Sequence, residues 1–168
     1  MKALLITTML VGLYLQYYYL PQLPDYVAVN FGDGGVPNAW HKKDANVVIG
    51  GLSLIVNTVV FLLMPVIFSR FPVRLISFPK REYWLAEERK AQSIRSMSAW
   101  MQFFGVFTNC FIIAVTHLVF MANISDPVRL NNDHFFSMIG LYVLVLVVWL
   151  KLLYGKFNKI PPQSGLTP

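Results

Sequence analysis

Four apolar stretches restrict what this chain can fold into, because each is long enough to cross a membrane. They run approximately over residues 3–20, 47–68, 99–122 and 135–154. A helix needs about 20 residues to span a hydrocarbon core, and each backbone group left without a hydrogen bond there costs several kcal/mol. We therefore predict an all-α fold with a single domain of four transmembrane helices over residues 1–160. A disordered cytoplasmic tail is predicted at residues 161–168.

The charge content supports the same class of protein. Charged residues make up 13% of the chain and the mean hydropathy is +0.54, whereas soluble domains carry about 25% charged residues. The net charge of +6 comes from Lys and Arg in particular loops, which is typical of membrane topology. This distribution argues against a nucleic-acid partner. Cys110 is the single cysteine of the sequence, which excludes an intramolecular disulfide.

The uneven distribution of basic residues between the loops predicts the orientation. The loop over residues 69–98, between the second and third stretches, is rich in them: Arg70, Arg74, Lys80, Arg81, Arg89, Lys90 and Arg95. The loop after the first stretch balances Lys42 and Lys43 against three aspartates. Because loops rich in Lys and Arg stay in the cytoplasm, both termini are predicted to be cytoplasmic.

The loop over residues 21–46 is predicted to lie on the outer side. Residues 26–31 alternate weakly in the manner of a strand, and the glycines within residues 32–35 favour a turn. We predict a compact cap over the outer end of the helices, with these candidate residues: Asp25, Asn30, Pro37, Asn38 and Trp40. A ligand-binding cap and a turn-rich connector both fit this pattern.

The cytoplasmic loop is predicted to form an interfacial helix over residues 82–97 that leads straight into the third span. Helix-forming residues fill this range, and aromatic residues near its start can dip into the membrane interface. The candidate lipid-contacting residues are Tyr83, Trp84, Arg70, Arg74, Lys80 and Arg81. Basic residues at this level attract anionic headgroups by about 1 kcal/mol each. They are equally well explained as determinants of orientation alone.

Polar and small residues inside the spans indicate contacts between helices. Asn57 and Asn109 fall near the middle of the second and third stretches, where side-chain amides bond across helices. Gly50, Gly51 and Ser53 would allow a close approach by the same logic. These five residues can join the helices of this chain or contact a partner. Since the spans carry no ionisable residue near mid-depth, a transporter or pump is disfavoured.

Three histidines map to the predicted outer side, namely His41, His117 and His134. Histidine is the commonest metal ligand, so a transition-metal site is one hypothesis, and histidines that bond to the loops are the other. The sequence has no nucleophile elbow, phosphate-binding glycine loop or paired carboxylates. We therefore predict a protein without enzymatic activity and without a cofactor, other than this metal.

Four short segments give the chain a family resemblance: LPD (23–25), GVPNAW (35–40), FPKREYWLAEER (78–89) and HLV (117–119). With these segments, residues 5–122 resemble a family of small bacterial membrane proteins filed as a domain of unknown function. That family includes the immunity protein against the sporulation-delaying toxin. The resemblance implies the same membrane fold in the bacterial inner membrane, and it implies little chemistry. This chain has Asn30, Asn38 and Glu87 where the family usually has His, Asp and Pro.

Two functions follow as hypotheses. The first is a non-enzymatic accessory or immunity-type protein that associates with other membrane proteins through its transmembrane helices. The second is a ligand or metal site beneath the loop over residues 21–46, with a sensory role as one variant. Membrane lipids and other integral membrane subunits are the expected partners.

Overall fold

The computed structural model describes residues 1–70 and 79–160, which form a helical bundle with one β-hairpin. In chain order the elements are α1 (Lys2–Tyr19), β1 (Tyr26–Phe31), β2 (Pro37–Lys42), α2 (Lys43–Arg70), α3 (Arg81–Trp84), α4 (Glu87–Ile124) and α5 (Asn132–Asn158). Arg74 and the predicted disordered tail at residues 161–168 lie outside the described residues.

The helices α1, α2, α4 and α5 are each long and apolar enough to cross a membrane. This confirms the predicted mainly helical fold with four candidate spans. Helix α4 has 38 residues and is therefore about 57 Å long, whereas a hydrocarbon core is about 30 Å thick. Its polar first turns therefore extend beyond the apolar part of the bundle.

Three helices, α1, α2 and α4, form the centre of the bundle. Gly12 of α1 is buried where the three helices meet. A Cβ atom at this position would lie 2.5 Å from Leu54 Cδ1 of α2 and 2.8 Å from Ile113 Cγ1 of α4. The absence of a side chain at Gly12 therefore sets the spacing of the helices, as small residues commonly do in membranes.

Helix α5 packs mainly against α4. The Tyr142 ring stacks on the rings of Phe111 and Phe107, with centroid separations of 4.3 and 5.3 Å. Farther along α5, Trp149 Nε1 donates a hydrogen bond to the Trp100 carbonyl at 3.2 Å. Aromatic stacking on one helix face therefore attaches α5 to the rest of the bundle.

The two ends of the bundle differ in composition. We call one end the basic end. It contains the start of α1, the end of α2, the whole of α3, the first half of α4 and the end of α5. At this end Lys156 Nζ of α5 lies 2.8 Å from Ser96 Oγ of α4. The other end, called the cap end, has the β-hairpin and the connection between α4 and α5.

The prediction of one continuous helix from Glu82 into the third span is wrong at its start. Helix α3 ends at Trp84, and α4 begins at Glu87 after an extended Ala86 with φ −57° and ψ 146°. Trp84 Nε1 donates a hydrogen bond to the Phe157 carbonyl at 2.6 Å, which directs α3 toward the end of α5. From Glu87 onward α4 does continue into the third span without a break, as predicted.

The strands β1 and β2 pair antiparallel and form a hairpin, so the all-α description is incomplete. Strand β1 coincides with the alternating run over residues 26–31, whereas β2 occupies residues that the sequence pattern assigned to a connector. Tyr26 lies opposite Lys42 and Phe31 lies opposite Pro37, with a register irregularity between them. Pro37 is the first residue of β2, a position where a strand tolerates the missing N–H.

The turn of the hairpin docks on the connection between α4 and α5. The Leu130 N–H donates to the Gly35 carbonyl at 2.9 Å, and Arg129 Nε donates to the Gly34 carbonyl at 2.6 Å. Gly35 has φ +73°, and a Cβ atom there would collide with the Leu130 backbone. Glycine at position 35 is therefore required both by the backbone conformation and by this contact.

We expect the substitution Gly35→Ala to loosen the cap. A side chain in the left-handed region costs about 1 kcal/mol or more, and the collision with Leu130 adds to that cost. The free energy of unfolding in detergent and the rate of proteolysis within residues 26–42 measure the effect. The matched control is Gly32→Ala, because Gly32 has φ −91° and its nearest neighbour would be Asn38 Nδ2 at 3.4 Å. Equal destabilisation by the two substitutions would contradict this role of Gly35.

Candidate functional site

The centre of the bundle contains a hydrogen-bonded amide network that joins α1, α2 and α4. Asn109 of α4 is fully buried, and its Nδ2 lies 3.0 Å from Thr58 Oγ1 of α2 and 3.2 Å from Thr8 Oγ1 of α1. Its Oδ1 accepts a hydrogen bond from Asn57 Nδ2 of α2 at 2.8 Å. The network therefore connects side chains from three helices that are far apart in the sequence.

Of the five residues predicted at helix contacts, four lie between helices of this chain. Asn57 Nδ2 also donates to the Gly105 carbonyl at 3.0 Å, and Gly50 and Gly51 of α2 face α1. Ser53 differs, because it is exposed and its hydroxyl donates to the Ile49 carbonyl of its own helix at 2.8 Å. The amides and glycines are thus used inside the bundle and do not form an outward-facing surface.

Gln16 of α1 occupies an unusual position opposite Gly50. The residue is 2% exposed, and its Oε1 lies 2.8 Å from the point that a Cβ of Gly50 would occupy. Neither Nε2 nor Oε1 has a hydrogen-bond partner among the described residues. A buried amide without partners carries the full cost of its desolvation.

The side-chain amide of Asn123 on α4 binds strand β1 of the cap. Asn123 Oδ1 accepts a hydrogen bond from the Ala28 N–H of β1 at 2.6 Å, and Asn123 Nδ2 donates to the Ala28 carbonyl at 3.0 Å. Below this pair lies an apolar cluster that fills the space between the hairpin and the helices: Tyr19, Leu23, Val27 and Phe120. These side chains pack the hairpin against α1 and α4.

The three histidines have separate environments. His117 Nδ1 lies 2.9 Å from the Tyr19 hydroxyl, His41 is exposed on β2, and His134 is exposed in the first turn of α5. Within residues 1–70 and 79–160, no group of three or more His, Cys, Asp or Glu side chains is arranged to hold a metal ion. The metal site stays a prediction without a described ligand set.

The predicted cap residues lie along the hairpin and its flanks. Asp25 Oδ1 is 3.1 Å from Lys43 Nζ, and Lys43 Nζ also donates to the Leu23 carbonyl at 3.2 Å, so this ion pair closes the base of the hairpin. Asn30, Asn38 and Trp40 are exposed. Their exposure leaves the ligand-binding interpretation of the cap open.

Those predicted lipid-contacting residues that the structure describes lie at the basic end. The Arg89 guanidinium stands 4.2 Å from the centroid of the Tyr83 ring, while the indole of Trp84 packs edge-on against the Phe157 ring with 5.4 Å between centroids. The cations Arg70, Lys80 and Arg81 are exposed. Trp84 therefore joins α3 to α5, a role that its sequence context does not reveal.

The predictions from the sequence missed a periodic signal along α4. Polar residues recur there at every seventh position, at Gln102, Asn109, Thr116 and Asn123. This spacing returns a residue to nearly the same side of a helix, and Gln102, Asn109 and Asn123 are each at most 4% exposed. We call these four residues the polar face of α4. In an apolar span, this periodicity predicts the side that faces other helices.

No family model, no curated protein and no solved structure matches this chain. The resemblance to the immunity-protein family therefore stays a prediction from the sequence segments. A function for the chain has to be inferred from the geometry of its helices, cap and buried amides.

The two buried amides Asn109 and Gln16 are expected to respond oppositely to removal. Asn109→Leu should lower the free energy of unfolding by about 1–2 kcal/mol, because Asn57, Thr58 and Thr8 each lose a partner. Gln16→Leu should leave stability unchanged or raise it, since it removes an amide that makes no hydrogen bond. Reversible unfolding in mixed detergent micelles measures both variants. Unchanged stability of Asn109→Leu would contradict the role assigned to the network, and a large loss for Gln16→Leu would contradict the absence of a hydrogen bond at Gln16.

Proposed function

We propose that this chain is a non-enzymatic accessory or immunity-type protein of the bacterial inner membrane. It crosses the membrane four times and binds another integral membrane protein through its helices. Four long apolar helices support the membrane location. The hydrogen-bonded network around Asn109 favours a structural and binding role.

The observation that carries this proposal is the exposure of α5. In the most apolar 18-residue stretch of each helix, the buried share is 6% for α5 and 17–22% for α1, α2 and α4. Gly140 is exposed on α5, and a Cβ there would have no atom within 4 Å. An exposed glycine allows the close approach of a foreign helix backbone. We therefore propose the partner surface on α5, whereas the sequence pattern offered α2 and α4 as one of two alternatives.

The proposed orientation puts the basic end in the cytoplasm and the cap outside. Arg70, Arg89, Lys90 and Arg95 belong to the basic end, and the end of α5 adds Lys156. Since cytoplasmic segments are enriched in Lys and Arg, this charge asymmetry supports cytoplasmic termini. The hairpin would then face the exterior.

We expect Gly140→Leu to release the partner, because the added side chain would separate the two helices. Tagged protein is purified from native membranes in a mild detergent, and co-purifying membrane proteins are quantified by mass spectrometry. Recovery of the partner should fall about tenfold, which corresponds to about 1.4 kcal/mol.

The matched control for Gly140→Leu is Ser53→Leu, which also introduces a leucine at an exposed position of a span. This substitution on α2 should leave partner recovery unchanged. A monodisperse monomer without any co-purifying protein would refute the proposed function. Equal loss of the partner from both variants would remove α5 as the contact surface.

Single-cysteine labelling tests the orientation. In a Cys110→Ser background, a membrane-impermeant maleimide applied to intact cells should label Asp33→Cys and not Lys159→Cys. Both positions are exposed and lie at opposite ends of the bundle. In inside-out vesicles the pattern should reverse. Labelling of Lys159→Cys in intact cells would invert the proposed orientation.

A further inference from the structure

A cavity of about 810 Å³ opens at the basic end between α1, α2 and α4. This volume falls within the range of about 300–1,000 Å³ that is common for small-molecule sites. Its walls are mostly apolar, with Pro65, Ile94 and Ala99 among them, while charged side chains stand at its rim. The cavity therefore combines the two surface types that an amphiphilic ligand requires.

The rim of the cavity is positively charged. Lys2 of α1 and Lys90 and Arg95 of α4 contribute three cations, and Glu87 contributes one carboxylate. In the part of the chain that the structure describes, none of the three cations lies within 4 Å of a carboxylate oxygen. The local excess of positive charge favours an anionic group at the rim.

Gln102 also lines this cavity, seven residues after Arg95 on α4. It belongs to the polar face of α4 and is 4% exposed. Unlike Asn109 and Asn123, its side chain makes no hydrogen bond with any described residue. Its amide atoms are not among the buried atoms that lack a partner, so the amide is accessible from the cavity and is available to bond a ligand atom there.

We propose that this cavity binds the headgroup and upper acyl region of one anionic phospholipid. The phosphate would lie between Lys2, Lys90 and Arg95, and an ester carbonyl would accept a hydrogen bond from Gln102 Nε2. Arg95 and Gln102 are seven residues apart, or about 10 Å along the helix, which separates the charged rim from the ester level. The acyl chains would then follow the apolar wall at Ile94 and Ala99.

The mostly apolar wall and the position at the end of four candidate spans favour a lipid over a soluble phosphate. This site is independent of the partner surface proposed on α5, because α5 contributes no residue to it. The partner proposal can therefore fail while the lipid site stands, and the reverse also holds.

Native mass spectrometry of the full chain tests the site. The protein is purified in detergent, incorporated into nanodiscs of phosphatidylcholine with a minor fraction of phosphatidylglycerol, and then released. Phosphatidylglycerol should be retained above its bulk fraction. The substitutions Arg95→Gln and Gln102→Leu should each reduce this retention about fivefold.

The matched control is Lys159→Gln, which removes one positive charge at the basic end outside the cavity. Its retention of phosphatidylglycerol should equal that of the unmodified protein. Equal losses for Lys159→Gln and Arg95→Gln would assign the effect to general surface charge and overturn the site. Displacement of the lipid by inorganic phosphate would instead assign the cavity to a soluble anion, which also overturns the proposal.

Thermal unfolding in phosphatidylcholine alone separates binding from folding. Arg95 is exposed, so Arg95→Gln should unfold at the temperature of the unmodified protein. The Arg95→Gln result therefore decides the proposal even if Gln102→Leu fails to fold. Unchanged retention in Arg95→Gln and in a second variant, Lys90→Gln, would exclude a phosphate site at this rim.

Discussion

The bundle depends on one constraint: polar groups between its helices have to form hydrogen bonds with each other, because no water is present in a hydrocarbon core. A polar side chain inside a hydrocarbon core finds a partner in the protein or incurs the cost of desolvation. Asn109 meets this requirement with Thr8, Thr58 and Asn57, which belong to two other helices. Since apolar side chains pack as well against lipid as against each other, these bonds and the close contact at Gly12 specify which helices associate.

The same side of α4 organises both ends of the bundle. Asn123 lies 14 residues after Asn109 and binds both backbone groups of Ala28, which fixes the hairpin to the helices. Gln102 lies seven residues before Asn109 and lines the cavity at the basic end. The central amide joins three helices, the amide at the cap end holds the hairpin, and the amide at the basic end is the one that we propose bonds a lipid.

The spans were predictable because hydrophobic length alone determines them. The strand β2 could not be predicted in the same way. It forms by pairing with β1, and β1 is held by hydrogen bonds to Asn123. Neither partner can be recognised from residues 37–42. Next to the break before Glu87, Trp84 bonds to the distant Phe157, a contact that residues 82–97 do not reveal. The seven-residue periodicity of α4 was present in the sequence, but spacing does not reveal which of these amides would lack a partner.

Helix α5 lies outside this hydrogen-bonded core. The proposed partner surface on α5 is therefore distinct from the contacts that hold α1, α2 and α4 together. Its hydroxyl and indole groups bond to α4, at Thr108 and Trp100, but it contributes nothing to the network around Asn109. An incoming helix can therefore pack on the free side of α5 without breaking a bond that holds α1, α2 and α4 together. The cavity at the basic end is formed by those three helices, so a lipid there and a partner on α5 would occupy separate surfaces of the bundle.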